Sequence, residues 1–423
     1  MRVEGVIRPP GDKSITHRVL MLAALLRGTS AVRGALTSAD ARATARCLRL
    51  LGADASPMRP DLVRVRGRPW RKPDRTLHCG NSGTTARLLL GLLAAQPFEA
   101  RLTGDQSLRR RPMRRVTEPL VRMGATVVEE RGGGLPLRIR GGSLKGLDWD
   151  LPVATAQVKT SLVFAGLAAG VRVAVREPAV SRDHTERMLR ALGAPLRVED
   201  RRVILEPAPG WLAACPALDW QVAGDASSAA FLVAAALLAT EGELRVHGVG
   251  MNPTRTGYLA VLARMGAAVV PETVREVCGE PVGDLVARPA TLHGTTVGAD
   301  EVPSLIDEVP VLAVLASRAE GETVFHSVGE LRVKESDRLG LLAANLRAVG
   351  ARAEVVGDAL HVEGTDRPPR GRVETAGDHR LAMAFAVLGR VRGARIALSE
   401  RDSPAVSYPG FFTALEGITG HAR

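Results

Sequence analysis

The apolar residues are concentrated in helix-length stretches that have few polar positions on any face. In residues 86–95, for example, Arg87 is the one charged side chain. A helix that is apolar on most of its faces is a buried helix. Each such stretch follows a short polar cluster, and the six clusters begin at Gly11, Gly80, Thr155, Gly224, Ile306 and Gly377. The pattern therefore predicts six buried helices, each opened by a polar cluster.

A second signal marks helix ends with a similar spacing. Amphipathic stretches end in Gly-Ala at intervals of 72, 69, 73 and 84 residues, at Gly52, Gly124, Gly193, Gly266 and Gly350, and a weaker echo occurs at Gly417. Glycine after an amphipathic stretch is a common helix terminus. β-branched runs such as residues 126–128 follow and are typical of strands. We therefore predict about six βαβ-like units of ~70 residues, each with one buried helix.

The six predicted helix starts have a functional implication. Each N-terminus offers unpaired N–H groups and the positive end of a helix dipole, so converging ends would form an anion-binding centre. The alternative is ordinary capping by Ser, Thr, Asp and Asn. Charged side chains lie at four of these ends: Lys13, Lys159, Asp307 and Arg380. They favour the functional interpretation, because capping alone does not need them.

Composition narrows the class of protein. The chain has 423 residues, enough for two or three domains, and 45% hydrophobic with 24% charged residues excludes general disorder. A net charge of +12 indicates anionic partners. Nucleic acid is a weaker candidate, since the 13 aromatic residues are too few for many stacking platforms. Only five of the 57 basic residues are lysines, so a lysine can mark a place that needs a compact ammonium.

Location is predicted from what the sequence lacks. Uncharged runs such as residues 229–240 are shorter than the ~20 residues that span a bilayer. Near the start, an acidic residue and Pro9-Pro10 stand where a signal peptide needs its apolar stretch. Four dispersed cysteines without a CxxC pair fit a reducing compartment and argue against a zinc ribbon. We therefore expect a cytoplasmic protein.

Three motifs carry candidate anion-binding groups. In GDKSITHR, Lys13 and Arg18 can hold two anionic groups while Ser14 donates a hydrogen bond. In GNSGTTAR, Gly83 permits a ligand to approach the backbone, although a tight turn would also explain it. In RRRP, Arg111 can grip a carboxylate or phosphate, and a solvated basic face is the alternative.

Two carboxylates are candidates for acid and base chemistry. Asp307 lies in LIDEVP, and Glu335 lies in LRVKESDR between Lys334 and Arg338. Lys334 and Arg338 are four apart, so they share a face if the segment is helical. The alternatives are that Asp307 caps a helix and that Glu335 belongs to a surface ion-pair ladder.

Eight motifs in order resemble those of the 5-enolpyruvylshikimate-3-phosphate synthase family. They are GDKSITHR, GNSGTTAR, RRRP, ATAQVK, SRDHTE, LIDEVP, LRVKESDR and GDHR, and the resemblance runs from Lys13 to Tyr408-Pro409. It implies an α/β (α+β) fold: a two-domain inside-out α/β barrel of six βαβαββ units with buried parallel helices. It also implies domains at 12–222, on the shikimate-phosphate side, and at 1–11 plus 223–423, with the active site in the cleft between them.

The resemblance implies a transferase. Enolpyruvyl would move from phosphoenolpyruvate to the 5-hydroxyl of shikimate 3-phosphate by addition and elimination, with release of phosphate, in aromatic amino-acid biosynthesis. No metal or organic cofactor is implied. The expected partners are these two small molecules, without nucleic acid or membrane, and the expected state is a monomer.

Site residues follow from the same resemblance. Asp307 would be the base, Glu335 the acid, and Lys13 would bridge both substrates. Matches to shikimate 3-phosphate contacts are Lys13, Ser14, Arg18, Thr155, Gln157, Ser181, Arg182, Asp307 and Lys334. Matches to the phosphoenolpyruvate side are Lys13, Asn81, Gly83, Arg111, Gln157, Arg338 and Arg380.

The chain departs from the family pattern in two places. Thr155-Ala156-Gln157 stands where some members have Ser-Ser-Gln, and the lysine that many members carry before the C-terminal aromatic-Pro is missing near Val406. Both departures resemble a Thr-Ala-Gln subgroup rather than a loss of function. Glycine at position 83 resembles enzymes that are sensitive to the inhibitor glyphosate.

Two other functions remain open. One is the sister enolpyruvyl transferase that acts on UDP-N-acetylglucosamine, which typically has a loop cysteine near residues 109–115, where this chain has none. The other is a basic RNA-processing protein of related repeat fold, which would bind polyanions in a salt-dependent way without releasing phosphate.

Overall fold

A computed structural model describes residues 1–130, 132–208 and 210–420. The chain forms two compact units. Unit I comprises Gly11–Val222 and Val277–Glu280. Unit II comprises Met1–Pro10, Ala223–Glu276 and the residues from Pro281 onward. The chain begins in unit II with β1 (Arg2–Ile7).

Unit I contains three four-stranded sheets in its described part. Its strands are β2 (Gly28–Arg33), β3 (Asp54–Ala55), β4 (Val63–Gly67), β5 (Leu77–His78), β6 (Glu99–Thr103), β7 (Thr126–Glu129), β8 (Leu137–Arg140), β9 (Leu147–Asp150), β10 (Val173–Arg176), β11 (Leu196–Glu199), β12 (Arg202–Leu205) and β13 (Asp219–Gln221). The sheet orders are β13-β2-β4-β3, β5-β6-β8-β7 and β11-β12-β10-β9. Each sheet combines one parallel pair with two antiparallel pairs, so one small unit is repeated three times.

Three of the helices of unit I are buried along most of their length. The helices are α1 (Lys13–Leu25), α2 (Ala39–Leu50), α3 (Gly83–Ala94), α4 (Gln106–Arg110), α5 (Arg114–Met123), α6 (Ala156–Ala169), α7 (His184–Ala191) and α8 (Trp211–Ala214). The buried ones are α1, α3 and α6. Helices α3 and α6 pack closely because Gly91 has no side chain. A Cβ atom there would lie 2.0 Å from the carbonyl oxygen of Ser161.

Unit II repeats the same organisation. Its further strands are β14 (Glu241–Gly250), β15 (Val270–Val277), β16 (Glu280–Ala287), β17 (Thr296–Val297), β18 (Glu322–Phe325), β19 (Arg352–Val356), β20 (Ala359–Glu363), β21 (Arg370–Val373) and β22 (Arg395–Leu398). They form the sheets β1-β14-β16-β15, β17-β18-β20-β19 and β21-β22. The turn between β15 and β16 is the segment that groups with unit I.

The helices of unit II surround an apolar core. They are α9 (Ala226–Leu237), α10 (Gly257–Arg264), α11 (Val309–Ala316), α12 (Arg338–Ala348), α13 (His379–Leu388) and α14 (Phe411–Thr419), with 3-10 turns at Val302–Ser304, Gly329–Val333 and Ser403–Val406. Every residue of α9 and α11 is buried, and most of α13 is. Burial of large apolar surfaces is the main stabilising term of such a fold.

The structure confirms the six predicted buried helices and the α/β fold of repeated units. Helices α1, α3, α6, α9, α11 and α13 each begin within three residues of the predicted polar cluster. All five Gly-Ala glycines follow a helix and have positive φ, a conformation that glycine adopts without strain. The echo at Gly417 was wrong as a helix end, because α14 runs through it to Thr419.

The condition under which Lys334 and Arg338 would share a helix face is not met. Lys334 lies after the 3-10 turn Gly329–Val333, and α12 begins only at Arg338. Asp337 caps α12 by accepting a hydrogen bond from the backbone N–H of Gly340 at 3.1 Å. The four cysteines are free, and three of them are buried. Within the described residues, no helix combines the length and hydropathy that crossing a membrane requires.

Candidate active site

The first turn of α1 places three predicted residues together in unit I. Asp12 caps the helix by accepting from the backbone N–H of Ile15 at 2.8 Å. Lys13 follows, with its Nζ atom 3.6 Å from Asp40 Oδ2. The carbonyl oxygen of Ser14 accepts a hydrogen bond of 2.9 Å from Arg18 Nη1. The helix start therefore holds one ammonium and one guanidinium about one and a half turns apart.

Arg18 is a fully buried cation bonded to neutral groups. Its Nε donates to Thr185 Oγ1 at 2.8 Å, and its Nη2 donates to Thr160 Oγ1 at 2.9 Å. Burial lowers the pKa of Arg18 to about 10, against an opposing effect of Glu186. A guanidinium with that pKa stays protonated at neutral pH, so a positive charge is kept inside unit I.

A second group surrounds the start of α3. Asn81 donates to Asp105 Oδ2 at 2.8 Å and accepts from Arg111 Nη2 at 2.7 Å. Ser82 caps the helix by accepting from the backbone N–H of Thr85 at 3.1 Å. A Cβ atom on Gly83 would lie 2.7 Å from Arg87 Nη1 and 3.4 Å from Arg111 Nη1. Gly83 thus leaves room for two guanidinium groups beside a helix N-terminus.

Arg87 connects this group to α6. Its Nη1 donates to Gln157 Oε1 at 2.6 Å, and Gln157 Nε2 donates to Thr84 Oγ1 at 2.9 Å. The side chain of Thr155 makes no capping hydrogen bond at the start of α6. Asn81, Gly83, Arg111 and Gln157 therefore form one contact group, and the side chain that joins them, Arg87, was absent from the predicted site. It lies in GNSGTTAR, which is the signal that could have identified it.

A buried chain of hydrogen bonds ties these helix starts to each other. His17 Nδ1 lies 2.7 Å from Thr44 Oγ1, which lies 2.7 Å from Thr85 Oγ1, which donates to Ser82 Oγ at 2.8 Å. Burial, together with the charges of Lys13 and Arg18, lowers the pKa of His17 to about 3. His17 is therefore neutral at neutral pH. These hydrogen bonds fix α1, α2 and α3 relative to one another.

Ser181 and Arg182 lie between β10 and α7. The Ser181 hydroxyl donates to Glu177 Oε1, and Glu177 Oε2 contacts Lys159 Nζ at 2.6 Å. The charge of Arg182 lowers the pKa of Arg18, so the two guanidinium groups act on each other electrostatically. These residues complete the set that the sequence predicted within unit I.

In unit II, Asp307 lies between a 3-10 turn and α11 within a shell of cations. Asp307 Oδ1 is 3.7 Å from Lys334 Nζ and 3.6 Å from Arg338 Nη1. Asp307 Oδ2 is 3.5 Å from Arg380 Nη2 and 3.9 Å from Arg255 Nη1. Arg380 Nη1 also donates to the backbone carbonyl of Asp307 at 2.8 Å. Four cations therefore surround one carboxylate.

Arg338 organises the second carboxylate. Its guanidinium contacts Glu335 through Nη2 and Asp378 through Nε at 2.9 Å. Burial lowers the pKa of Arg338, but Asp378, Glu335 and Asp307 raise it by more, so it lies above the ordinary value. Asp378 also caps α13, accepting from the backbone N–H of Arg380 at 2.9 Å. Asp307, Lys334, Glu335, Arg338 and Arg380 thus form one network, and all five are among the predicted site residues.

Arg255 and Asp378 belong to this network but were absent from the predicted site. Asp378 lies in GDHR and Arg255 in NPTR, between β14 and α10. Arg255 Nη2 donates to Ser227 Oγ at 2.6 Å, and that hydroxyl also bonds Glu308. Asp378 could have been identified from its motif, whereas no local signal distinguished Arg255 from the other arginines.

The geometry defines two chemical environments. In unit I, a helix start with Lys13 and Arg18, and a second with Gly83 and Arg111, suit phosphate and carboxylate groups. In unit II, Asp307 and Glu335 are carboxylates held by cations, an arrangement that suits proton transfer. Among the described residues, no group of three or more His, Cys, Asp or Glu side chains is placed to hold a metal ion.

Comparison with solved structures identifies the class of fold. The structure is similar to EPSP synthase from Acinetobacter baumannii, with a TM-score of 0.86, 38% identity and coverage of 99% of this chain and 96% of that one. It is also similar to the enolpyruvyl transferase NikO from Streptomyces tendae, with a TM-score of 0.79, 20% identity and coverage of 99% and 95%. The fold is therefore that of the enolpyruvyl transferases.

Sequence comparison is more specific. The family model of EPSP synthase (3-phosphoshikimate 1-carboxyvinyltransferase) matches residues 1–415. A protein of Gloeobacter violaceus named 3-phosphoshikimate 1-carboxyvinyltransferase is 48% identical over 422 residues, which are 99% of this chain and 97% of the relative. A protein of the same name from Desulfitobacterium hafniense is 45% identical over 421 residues, 99% and 96% of the two chains. The chain belongs to the EPSP synthase family.

Proposed function

We propose that the protein transfers enolpyruvyl from phosphoenolpyruvate to the 5-hydroxyl of shikimate 3-phosphate. Membership of the EPSP synthase family over residues 1–415 supports this activity. The observation that carries it is the position of Asp307, a carboxylate with cationic nitrogens 3.5–3.9 Å from its oxygens. A carboxylate can take the proton of a hydroxyl as a general base, and the adjacent cations can bind the anionic groups of the substrates. The UDP-N-acetylglucosamine and RNA alternatives are not favoured, because the family and its relatives carry the shikimate name.

The proposed binding residues divide between the two substrates. Shikimate 3-phosphate is held by Lys13, Ser14, Arg18, Thr155, Gln157, Ser181, Arg182, Asp307 and Lys334. Phosphoenolpyruvate is held by Lys13, Asn81, Gly83, Arg111, Gln157, Arg338 and Arg380, with Arg87 added because it contacts Gln157. The split is supported by the separate contact groups at the starts of α1 and α3.

The proposed chemistry has two stages. In the addition, Asp307 takes the proton of the 5-hydroxyl, the oxygen bonds to C2 of the enolpyruvyl group, and C3 gains a proton from the side of Glu335. In the elimination, C3 loses a proton and the C2–O bond to phosphate breaks, giving the enol ether and phosphate. Lys13 lies beside both substrates and stabilises the negative charge. This mechanism uses residues of both units, so it requires an active site in the cleft between them. That location stays a prediction.

A phosphate-release assay tests the proposal. We expect release only when phosphoenolpyruvate and shikimate 3-phosphate are present together, since addition must precede loss of phosphate. EDTA should leave the rate unchanged, because the proposed chemistry uses protein side chains alone. Equal release from phosphoenolpyruvate without the second substrate would exclude the transferase reaction. Activity with UDP-N-acetylglucosamine instead of shikimate 3-phosphate would favour the sister enzyme.

The proposal includes the surroundings of the enzyme. Two small-molecule substrates are its partners, and it acts as a cytoplasmic monomer without nucleic acid or membrane. The basic charge of +12 is then explained by anionic substrates. Light scattering coupled to size-exclusion chromatography tests the monomer, with 44.8 kDa as the expected mass.

A further inference from the structure

Lys159 is a buried lysine held between two buried carboxylates. Its Nζ atom lies 2.6 Å from Glu177 Oε2 and 2.6 Å from Glu186 Oε1. The three side chains are 2%, 4% and 3% exposed, so solvent contributes little to their charge balance. All five lysines of the chain are in the described part, and Lys159 alone is buried. The cluster carries a formal charge of −1 inside unit I.

Both ends of this cluster reach residues that are proposed to bind shikimate 3-phosphate. Glu177 Oε1 accepts a hydrogen bond from the hydroxyl of Ser181. On the other side, Glu186 follows Thr185, whose Oγ1 accepts from Arg18 Nε at 2.8 Å. Glu186 also acts electrostatically on Arg18. Lys159 is therefore linked to Ser181 through Glu177, and to Arg18 through Glu186.

The arrangement has a consequence for a phosphate ligand. A hydroxyl has one hydrogen, so Ser181 cannot donate to Glu177 and to a phosphate at the same time. A buried carboxylate near a phosphate dianion is also repulsive in a low-dielectric interior. Two such carboxylates, Glu177 and Glu186, need a compensating charge if the dianion is to bind nearby. Lys159 supplies it through two short contacts, which a compact ammonium can make more readily than a planar guanidinium.

We propose that Lys159 is a positioning residue for the phosphate group of shikimate 3-phosphate. Its ammonium compensates the negative charge of Glu177 and Glu186. The Ser181 hydroxyl can then turn from Glu177 to the phosphate, and the charge of Arg18 remains available to the ligand. The inference rests on the proposed function, which places shikimate 3-phosphate beside Ser181 and Arg18. The contacts of Glu186 and Glu177 also raise the pKa of Lys159, against the effect of burial, so the ammonium stays charged.

The competing explanation is that the cluster only stabilises the fold. A structural ion pair would affect ligands with and without a phosphate equally, whereas a positioning role is confined to the phosphate. Isothermal titration calorimetry with shikimate 3-phosphate and with shikimate separates the two explanations. The variants are Lys159→Gln, the double variant Lys159→Gln/Glu177→Gln, and Lys145→Gln as the control, since Lys145 is an exposed lysine of the same unit.

We expect Lys159→Gln to weaken binding of shikimate 3-phosphate by about 10- to 100-fold, the range for a charge-assisted interaction. Binding of shikimate should change by less than about twofold on the same scale. The double variant should recover most of the loss, because it restores the cluster charge to −1. Lys145→Gln should bind both ligands as the parent does.

Three results would overturn the inference. They are unchanged binding of shikimate 3-phosphate by Lys159→Gln, equal losses for the two ligands, and no recovery in the double variant. If Lys159→Gln does not fold, Glu177→Gln alone decides. Removal of one carboxylate should then tighten binding of shikimate 3-phosphate, and weaker binding would contradict the inference. A parent protein that neither binds shikimate 3-phosphate nor releases phosphate would instead refute the proposed function.

Discussion

The candidate site residues of unit I and those of unit II differ in how arginine is bonded. In unit I, the hydrogen bonds of Arg18 end on two threonine hydroxyls and one backbone carbonyl, which are neutral groups. In unit II, the guanidinium of Arg338 contacts the carboxylates of Glu335 and Asp378. A cation bonded to neutral groups keeps its charge for an anionic ligand. A cation among carboxylates has part of its charge compensated, and it also fixes the orientation of those carboxylates.

The difference indicates a division of labour. Unit I is suited to binding phosphate, and unit II to holding groups that move protons. Lys13 is the exception within the proposed site of unit I, because its Nζ lies 3.6 Å from Asp40 Oδ2. The following substitutions test this division, from the largest expected effect to the smallest.

Removal of a proton-transfer group in unit II should have the largest effect. Asp307→Asn and Glu335→Gln keep the side-chain volume but cannot exchange a proton in the same way, so kcat should fall by ~10²–10⁴. Substrate affinity should change less, because the cations remain. Measurement of kcat and melting temperature on the same samples separates this from a capping role. A loss of stability with kcat near that of the parent would remove both residues from the catalytic set.

Removal of a buried arginine should destabilise unit II more than unit I. Arg338→Met leaves three carboxylates without their shared cation, which should cost ~3–5 kcal/mol of unfolding free energy. Arg18→Met leaves neutral acceptors and should cost less than ~2 kcal/mol, while binding of shikimate 3-phosphate weakens by ~1.5–3 kcal/mol. Urea unfolding and calorimetric titration measure the two quantities. A greater stability loss in Arg18→Met would break the comparison.

The burial of His17 near Lys13 and Arg18 predicts a pH dependence of the stability of unit I. Its pKa is about 3 in the folded state and 6.5 without structure, so only the unfolded chain takes up the proton between these values. Stability from this group is complete above about pH 6.5 and falls by ~1.4 kcal/mol for each further unit of acidification. His17→Gln should flatten that part of the curve of unfolding free energy against pH. Identical curves for parent and variant would show that His17 does not contribute.

The smallest effect is expected at the start of α3. Gly83→Ala places a methyl group 2.7 Å from Arg87 Nη1, so the flexible end of that side chain must shift. Inhibition by glyphosate should weaken by about tenfold, or ~1.4 kcal/mol, and the KM for phosphoenolpyruvate should rise less. The reason is that glyphosate is the longer ligand. Steady-state inhibition measures both values, and unchanged inhibition would mean that Gly83 serves only the helix start.

Most of the local structure of this protein could be predicted from its sequence. The six buried helices begin where polar clusters end, because a side chain such as Asp12 or Asp225 caps a helix through contacts three residues away. The glycine helix ends were equally predictable, since positive φ is a property of the single residue. The sequence left open whether Lys334 and Arg338 share a helix, and they do not, because a 3-10 turn and the cap of α12 occupy that segment.

The sequence by itself also determined which motifs carry the candidate chemistry, but only the tertiary structure decided which charges meet. Arg87 contacts Gln157, which is 70 residues away in the sequence. Arg255 lies near Asp307, but its motif NPTR does not distinguish this arginine from the others. The sequence marked Lys159 as a charged residue at a helix start, but only the tertiary structure shows that Glu177 and Glu186 pair with it. The physical reason is that pairing depends on distance and burial, and both are set by how distant segments pack.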